Sequence, residues 1–181
     1  FRRVLFRSLA QQKVDGGWGW YSSLRSDTMV TSWVVIALSD ASEVLTVDRQ
    51  DFPRAATYLF DNLVTRTRSD QDYLLNRSAI MVYALAKSGN TGITSQISNL
   101  YDLRDRLSVY AKALLAASIL ELRREDPERL ATLRDDLLNA VIVSANGAHW
   151  EEQSRDWYNW NSNTRTTAIV LRTLLALNAE E

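Results

Sequence analysis

The sequence has no cysteine and only one histidine, His149, among its 181 residues. The lack of cysteine excludes disulfides, thiolate zinc sites and cysteine nucleophiles together. It does not identify a compartment, because many exported bacterial-type proteins also lack disulfides. Proline is scarce as well, and the two prolines, Pro53 and Pro127, stand at positions where helices can begin.

Neither an excess of basic residues nor a long apolar run is present. Lysine and arginine number 21 against 22 acidic residues and form no cluster, so the footprint of a nucleic-acid-binding protein is missing. No run of the ~18 apolar residues expected of a membrane span occurs, and no signal peptide leads the chain. The 46% hydrophobic and 24% charged content is typical of one globular domain, or part of one.

The first eight residues, Phe1 to Ser8, read FRRVLFRS. This segment resembles the in-frame translation of a DNA-sequencing adapter, so we predict an artefact at 1–8 and a truncated domain at 9–181. Without its three arginines, 18 basic residues stand against 22 acidic ones, a net charge of −4. The chain also starts within a pattern and ends directly after a helix, which leads us to expect a longer parent protein.

Two segments match each other 136 positions apart, each a tryptophan-rich loop that runs into a helix of small residues. The first extends from Asp15 to Leu38 and the second from Asn146 to Leu177. In this register Asp27 aligns with Asn163, Thr28 with Thr164, Thr31 with Thr167, Val34 with Val170 and Leu38 with Leu174. A single unit of this kind cannot bury its apolar face alone, so the repeat predicts stacked helical hairpins around a shared interior.

Apolar residues recur at helical spacing along nearly the whole chain, which predicts an all-α fold of about eight helices in four hairpins with few or no strands. Four segments are apolar on almost every side and should be inner helices: Thr28 to Ser42, Leu74 to Lys87, Leu107 to Leu122 and Thr164 to Asn178. The alternating helices, such as Pro127 to Val143, carry one apolar stripe and should lie outside. The sequence therefore predicts a partial α/α toroid of the kind found in terpenoid cyclases.

Several pieces, in their order and spacing, resemble the thioester-containing domain of bacterial alpha-2-macroglobulins. They are the start QKVDGGWGW at Gln12 to Trp20, the helix at Thr31 to Leu38, YALAKSG at Tyr83 to Gly89, LRDRLSVYAKALLA at Leu103 to Ala116, GAHWE at Gly147 to Glu151 and TTAIVL at Thr166 to Leu171. The resemblance covers nearly everything from Leu9 onward.

What the resemblance implies is an endopeptidase inhibitor that traps target proteases as part of a larger chain, together with other macroglobulin domains. It also implies a periplasmic, cell-envelope or extracellular location. In thioester-bearing members a CxEQ motif forms a reactive thioester, but this sequence has neither a cysteine nor that motif. Either the motif lies upstream of the chain, or the protein is a member without a thioester. In some members of the family, a histidine between the second and third inner helices directs the thioester toward hydroxyls. No histidine lies between Leu38 and Leu107 here, so the resemblance implies that an upstream thioester would prefer amines.

We predict no enzyme activity, no cofactor and no metal site for this chain. The loop residues that could form a water-excluding cover over an upstream thioester are Trp18, Trp20, His149, Trp150, Trp157 and Trp160. The competing interpretation is that the tryptophans only close the ends of the helical stack. His149 has no nucleophile beside it in the sequence, which favours a structural role.

Acidic residues raise the alternative of a carbohydrate-active enzyme, since α/α toroids support glycosidases that work through two carboxylates. The candidates are Asp70, Asp72, Glu151, Glu152 and Asp156. A terpene cyclase would need a DxDD motif, which is absent, and a prenyltransferase would need a cysteine in its zinc site. A non-catalytic protein-binding toroid remains an alternative. Because an open toroid exposes inner helices at its gap, we expect the isolated chain to fold only partially.

Overall fold

The computed structural model describes residues 10–21, 25–44, 51–64, 67–68, 71–122 and 126–178. These ranges contain seven α-helices, two turns of 3-10 helix and one β-hairpin, so the predicted all-α class is confirmed. The α-helices are α1 (Thr28–Ser42), α2 (Asp51–Asp61), α3 (Asp72–Lys87), α4 (Thr94–Asp102), α5 (Val109–Glu121), α6 (Pro127–Asn139) and α7 (Asn163–Asn178). The 3-10 turns are Arg104–Arg106 and Trp157–Asn159. The predicted artefact at Phe1 to Ser8 lies outside the described residues.

The odd-numbered helices form the interior of the molecule. Helix α3 packs against α1 and α5, and α5 packs against α7. Eleven of the sixteen residues of α3 are buried, including the whole run from Ser78 to Ala86. A helix without a solvent-exposed face needs neighbours on several sides. Helix α3 packs against α1, α5 and the outer helices. The predicted inner set is confirmed in its order and, within a few residues, in its bounds.

The even-numbered helices lie outside, and each buries one stripe. Helix α6 buries Leu133 and Leu137 completely, while Leu138 is 43% exposed. Helices α2 and α4 likewise bury small sets of apolar residues against the inner layer. This alternation of inner and outer helices follows from the two kinds of apolar pattern in the sequence.

One predicted helix is too long, because α6 ends at Asn139 and does not continue to Val143. The residues Ile142–Ser144 form strand β1 instead, which pairs antiparallel with β2 (Gly147–His149). Two β-branched residues begin β1, and Gly147 lies at a φ of 137° that favours glycine. Local strand preference and the turn thus end the helix earlier than its apolar stripe suggests.

The carboxyl ends of three inner helices meet at Lys87, the last residue of α3. Its Nζ lies 2.7 Å from Asp40 at the end of α1, 3.3 Å from Glu43 just beyond it, and 3.3 Å from Glu121 at the end of α5. Burial alone would lower the pKa of Lys87, but the hydrogen bond to Asp40 and the charge of Glu121 raise it above its ordinary value. The inner helices α1, α3 and α5 therefore run parallel.

Two helix boundaries lie at residue types that commonly end or begin helices. Gly89 follows α3 with a φ of 83° and donates its N–H to the Ala86 carbonyl. Asp126 caps α6 by accepting from the Arg129 N–H, and Pro127 is the first residue of that helix.

Helix α7 differs from the other inner helices. It packs against α5 and α6 on one side, while Leu171 is 45% and Leu175 is 70% exposed on the other. The prediction that this helix is buried on more than one face is therefore wrong. No helix of the described residues covers the second face of α7, which explains the exposure of these leucines.

Candidate functional site

The two tryptophan-rich loops of the repeat lead directly into α1 and α7. We call residues 12–21 and 25–27 the first loop, and residues 150–162 the second loop. Each loop precedes the amino terminus of an inner helix, so backbone N–H groups that have no partner within the helix point toward it.

Both loops are anchored to their helix in the same way. In the first loop, the Trp18 N–H donates to Thr31 Oγ1 at 2.8 Å, and that hydroxyl donates back to the Trp18 carbonyl at 3.1 Å. In the second, Trp150 makes the same pair of bonds to Thr167, at 3.0 and 3.2 Å. Trp18 and Trp150 are each 3% exposed. We call this contact the Trp–Thr clasp.

The clasp gives the two threonines a specific role. Threonine hydroxyls at the start of a helix commonly cap it or bind the preceding turn, but those of Thr31 and Thr167 bind the loop backbone instead. The cap of α1 is the carboxylate of Asp27, which accepts from Val30. The repeat register that aligns Thr31 with Thr167 nevertheless identifies two residues with the same contact.

The first loop is also tied to the outer helix α2. Arg54 Nη2 donates to the Lys13 carbonyl at 2.7 Å, and Gly16 lies so close to the Arg54 backbone that an added Cβ would fall 2.3 Å from its carbonyl oxygen. Gly16 also has a φ of 87°. Only glycine fits this turn. Burial would raise the pKa of Asp15, but hydrogen bonds from Ser26 and Gly17 and the charge of Lys13 lower it.

The loops meet in an exposed aromatic stack. The rings of Trp20 and Trp160 lie 4.5 Å apart with an angle of 21° between them, and the side chains are 49% and 63% exposed. Trp160 has a left-handed backbone (φ 53°, ψ 38°), which is unusual for a large side chain. Arg165 of α7 holds this geometry, because it donates to the Trp160 carbonyl at 3.2 Å and lies over the ring of Trp33.

Beneath the second loop lies a buried carboxylate, Asp156, which is 8% exposed. Its Oδ2 accepts from Tyr110 Oη at 2.8 Å, from Asn76 Nδ2 at 3.0 Å and from Asn159 Nδ2 at 2.8 Å. These bonds connect the second loop to the first turns of α3 and α5. Burial and the neighbouring Asp156 carboxylate raise the pKa of Tyr110 well above its ordinary range, so its hydroxyl stays a donor.

A second carboxylate, Glu152, caps α5. Its two oxygens accept from the N–H groups of Val109 and Tyr110, both at 3.0 Å, and Oε1 also accepts from Thr166 Oγ1 at 2.7 Å. A negative charge at a helix amino terminus is stabilised by the helix dipole and by the free N–H groups. The oxygens of Glu152 and Asp156 are thus occupied by donors from the protein itself.

A polar cavity of about 350 Å³ opens beside these two carboxylates. Its wall includes Arg106 and Lys112, which are ion-paired with Asp72 and Asp136 respectively. Both cations of the wall are thus held by carboxylates of the same wall.

Among solved structures, the chain is similar to a crystal structure of Salmonella alpha-2-macroglobulin reacted with methylamine. The TM-score is 0.72 at 18% identity, and the match covers 95% of this chain. The chain shares its fold with alpha-2-macroglobulin. The match covers 11% of the Salmonella chain, so the present chain spans a small part of the structure it resembles. No family model and no curated protein matches the sequence.

The alpha-2-macroglobulin resemblance drawn from the sequence is confirmed at the level of fold. Of the residues predicted to cover a thioester, the structure joins Trp20 and Trp160 in the stack and buries Trp18 and Trp150 beneath the loops. Trp157 is 70% exposed, with the Arg155 guanidinium 5.3 Å from its ring centre. Their role as a cover stays a prediction.

His149 lies on β2, where its Nε2 is 3.3 Å from Glu151 Oε1. Of the other acidic candidates, Asp72 is ion-paired with Arg106, and Asp70 lies outside the described residues. In the described parts of the chain, no group of three or more His, Asp or Glu side chains is arranged to hold a metal ion. None of the helices in those same parts is both long and apolar enough to cross a membrane.

Sequence reasoning missed the Asp156 cluster. A signal was present, because Asn76 and Tyr110 carry polar groups in two inner helices that are rich in apolar residues. Such groups need hydrogen-bond partners when buried. The sequence could not identify the partner, which lies 80 residues from Asn76 and 46 from Tyr110.

Proposed function

We propose that the chain is the scaffold of the thioester-containing domain in a protease-trapping protein of the alpha-2-macroglobulin type. The observation that carries the proposal is the likeness in fold to Salmonella alpha-2-macroglobulin over 95% of the chain. In this proposal the target proteases bind the longer protein, other macroglobulin domains hold the scaffold in place, and the protein works in the periplasm or cell envelope.

The environment of the carboxylates supports a scaffold over an enzyme. Glu152 caps α5, and Asp156 accepts four hydrogen bonds from Tyr110, Asn76 and Asn159. A glycosidase needs one carboxylic acid free to protonate a leaving group and another free to attack or to activate water. Neither acid is free in this sense.

The exposed tryptophan stack supports a place for the thioester segment. A thioester is an acyl donor that water hydrolyses, so it needs apolar cover until it reacts. We propose that Trp20 and Trp160 form this cover, while the Trp–Thr clasps hold the two loops in position. The matched Salmonella structure is of an alpha-2-macroglobulin reacted with methylamine, a small amine, which supports methylamine as the probe for an acyl donor in the longer protein proposed here.

The first experiment is to sequence the parent gene upstream of Leu9 and to express the longer protein. With an upstream CxEQ motif, methylamine should attack the thioester carbonyl, form an amide and release one thiol per chain as the C–S bond breaks. The longer protein should also inhibit a protease such as trypsin on a large protein substrate. An upstream DxDD motif, or a longer protein that binds no protease, would overturn the proposal.

The cover is tested in the thioester-bearing protein with the double variant Trp20→Ala/Trp160→Ala. Thiol release by methylamine should become faster, because water and amine reach the acyl group more easily. The control is Leu138→Ala, which removes a partly exposed apolar side chain from α6. An unchanged rate in the double variant would assign the tryptophans to packing alone.

A further inference from the structure

The hairpin of β1 and β2 carries an Asn-Gly step at its turn. Strand β1 ends at Ser144 and β2 begins at Gly147, so Ala145 and Asn146 form a two-residue turn between the strands. All residues from Ser144 to Gly147 are exposed. The exposed amide of Asn146 is therefore followed by the residue type that hinders its own backbone nitrogen least.

An asparagine in this position can lose its amide by a reaction within the chain. The backbone nitrogen of the next residue attacks the side-chain carbonyl carbon, and the new C–N bond closes a five-membered succinimide ring. The C–N bond of the side-chain amide breaks, and ammonia leaves with the proton of the attacking nitrogen. Water then opens the ring at either carbonyl and gives aspartate or isoaspartate. The sum is one water consumed and one ammonia released, so the step needs no enzyme, oxidant or cofactor.

Gly147 leaves the attacking nitrogen accessible. A side chain on this residue would crowd the nitrogen during ring closure, but glycine has none. The surroundings add no obstacle, because a Cβ built on Gly147 would meet no atom of the described residues within 4 Å. Ring closure also requires the backbone between Asn146 and Gly147 to rotate. Glycine, which here has a φ of 137°, has access to more backbone conformations than any other residue.

The turn is held by contacts that open at little cost in free energy. Each strand has three residues, and the pairs extend from Ile142↔His149 to Ser144↔Gly147. Ser144 Oγ donates to the Gly147 carbonyl at 3.1 Å and accepts from the Asn146 N–H at 3.4 Å, and both bonds are exposed. A two-stranded hairpin is only marginally stable, and exposed turns open readily. Each opening releases the Gly147 nitrogen from the strand pairing.

Asn161 provides a contrast within the same chain. It also precedes a small residue, Ser162, but its amide is fixed by hydrogen bonds. Its Nδ2 donates to Thr166 Oγ1 at 2.8 Å and to Glu152 Oε1 at 3.4 Å. Attack on the side-chain carbon of Asn161 would break both bonds. The fold therefore restrains Asn161 and leaves Asn146 able to react.

We propose that Asn146 is a site of spontaneous deamidation in the folded protein and that isoaspartate forms there. This inference rests on the hairpin and not on the proposed function. Deamidation replaces a neutral amide by a carboxylate. Isoaspartate also routes the main chain through the side chain, which lengthens it by one methylene group. The modified turn thus carries a new negative charge and an altered connection between the strands.

The added length has to be taken up within the hairpin. Directly after β2, Trp150 is buried, and its backbone is held by the Trp–Thr clasp with Thr167. The turn, in contrast, is exposed. We therefore expect isoaspartate to break the Ser144↔Gly147 pair while the clasp stays closed.

The test compares the full 181-residue chain with two synthetic peptides during incubation at mildly alkaline pH. The peptides cover residues 135–155 and 156–165, the tryptic fragments that contain Asn146 and Asn161. After trypsin digestion, tandem mass spectrometry locates each change from amide to carboxylate, and isoaspartate methyltransferase labels isoaspartate. In the full chain, Asn146 should react within about tenfold of its rate in the peptide, since the turn opens readily. Asn161 should be slowed far more, relative to its own peptide.

The variant Asn146→Gln is the matched control. It keeps an exposed amide in the turn, but glutamine would have to close a less favourable six-membered ring, so this site should show no change over the same time. Hydrogen exchange of the deamidated wild-type chain should become faster in 142–149 and stay unchanged in α7.

Two results would overturn the proposal. An Asn146 that keeps its amide in the full chain while it reacts in the peptide would mean that the hairpin protects it. Equal slowing of Asn146 and Asn161, each relative to its peptide, would mean that the fold does not distinguish the two sites.

Discussion

Tyr110 connects the helical interior to the second loop through one hydroxyl. The residue is fully buried, and its Oη donates to Asp156, whose other partners come from α3 and from the loop itself. A buried carboxylate is tolerated only when donors surround it. Each donor to Asp156 therefore helps to hold the loop on the helix ends.

Replacement of Tyr110 by phenylalanine should lower the free energy of unfolding at pH 7 by about 1–3 kcal/mol, because Asp156 loses a donor while packing changes little. The pKa of Tyr110 is raised in the folded state. Above the ordinary tyrosine pKa the unfolded wild-type chain releases this proton first, so wild-type stability falls and the difference between the two proteins should shrink. Urea denaturation at pH 7 and above pH 10 measures this, and a difference that grows with pH would contradict it.

The left-handed backbone at Trp160 allows a comparison of two substitutions. Both Trp160→Ala and Trp160→Gly remove the stack with Trp20, but only alanine retains the cost of a side chain at positive φ. The glycine variant should be more stable than the alanine variant by about 1 kcal/mol. Thermal unfolding of the two variants measures this difference in stability. Equal stability would mean that the loop backbone relaxes when the indole is removed.

At the level of the helices, Lys87 joins the ends of α1, α3 and α5. Its side chain is 10% exposed and lies within 3.3 Å of three carboxylates. Parallel inner helices bring their carboxyl ends, and the partial negative charge there, into one region. One ammonium group offsets that charge for three helices at once.

The variant Lys87→Met should lower the free energy of unfolding by about 1 kcal/mol, because it removes the cation shared by three carboxylates whose side chains are 34–69% exposed. Glu43→Gln is the matched control, since Glu43 is 69% exposed and an exposed ion pair contributes little. Chemical denaturation of both proteins tests the assignment. If Glu43→Gln lowers the free energy of unfolding as much as Lys87→Met does, the stabilising partner of Lys87 is Glu43 and not Asp40 or Glu121.

Some features of these helices and loops could be predicted from the sequence, and others could not. The order of inner and outer helices follows from apolar spacing, and the repeat register alone pairs Thr31 with Thr167. The function of those hydroxyls could not be predicted, because the loop carbonyls that they bind depend on how the chain folds back. The strand at Val143 was missed because its neighbours continue a helical stripe. The exposure of Leu171 and Leu175 was missed because the apolar pattern of α7 does not show which of its sides packs against α5.

At the scale of the whole molecule, one apolar core extends from Trp18 and α1 through α3 and α5 to Ile169 and Val170 of α7. The row of inner helices has a middle, formed by α3 and α5, and two ends, formed by α1 and α7. Helices α3 and α5 have inner neighbours on both sides, whereas α7 has one on a single side. The free energy of local unfolding should therefore differ along the row of inner helices and be lowest at its ends.

We predict that amide hydrogen exchange is slowest in α3 and α5 and faster in α7, and that the isolated chain is only partly folded on average. Backbone amides of α3 and α5 can exchange only when the core opens, whereas those of α7 can exchange when a single helix interface opens. Exchange followed by mass spectrometry resolves the helices. Protection of α7 equal to that of α3, or a cooperative thermal transition from a monodisperse monomer, would contradict the prediction.

The stack of Trp20 on Trp160 gives the protein an optical property of its own. Two indole rings 4.5 Å apart and nearly parallel are close enough for their electronic transitions to couple. Coupled indoles produce a paired band of opposite signs in the far-ultraviolet circular dichroism spectrum, which a single tryptophan cannot give. Since the rings come from loops 140 positions apart, this band reports whether the two ends of the chain are together, without any label.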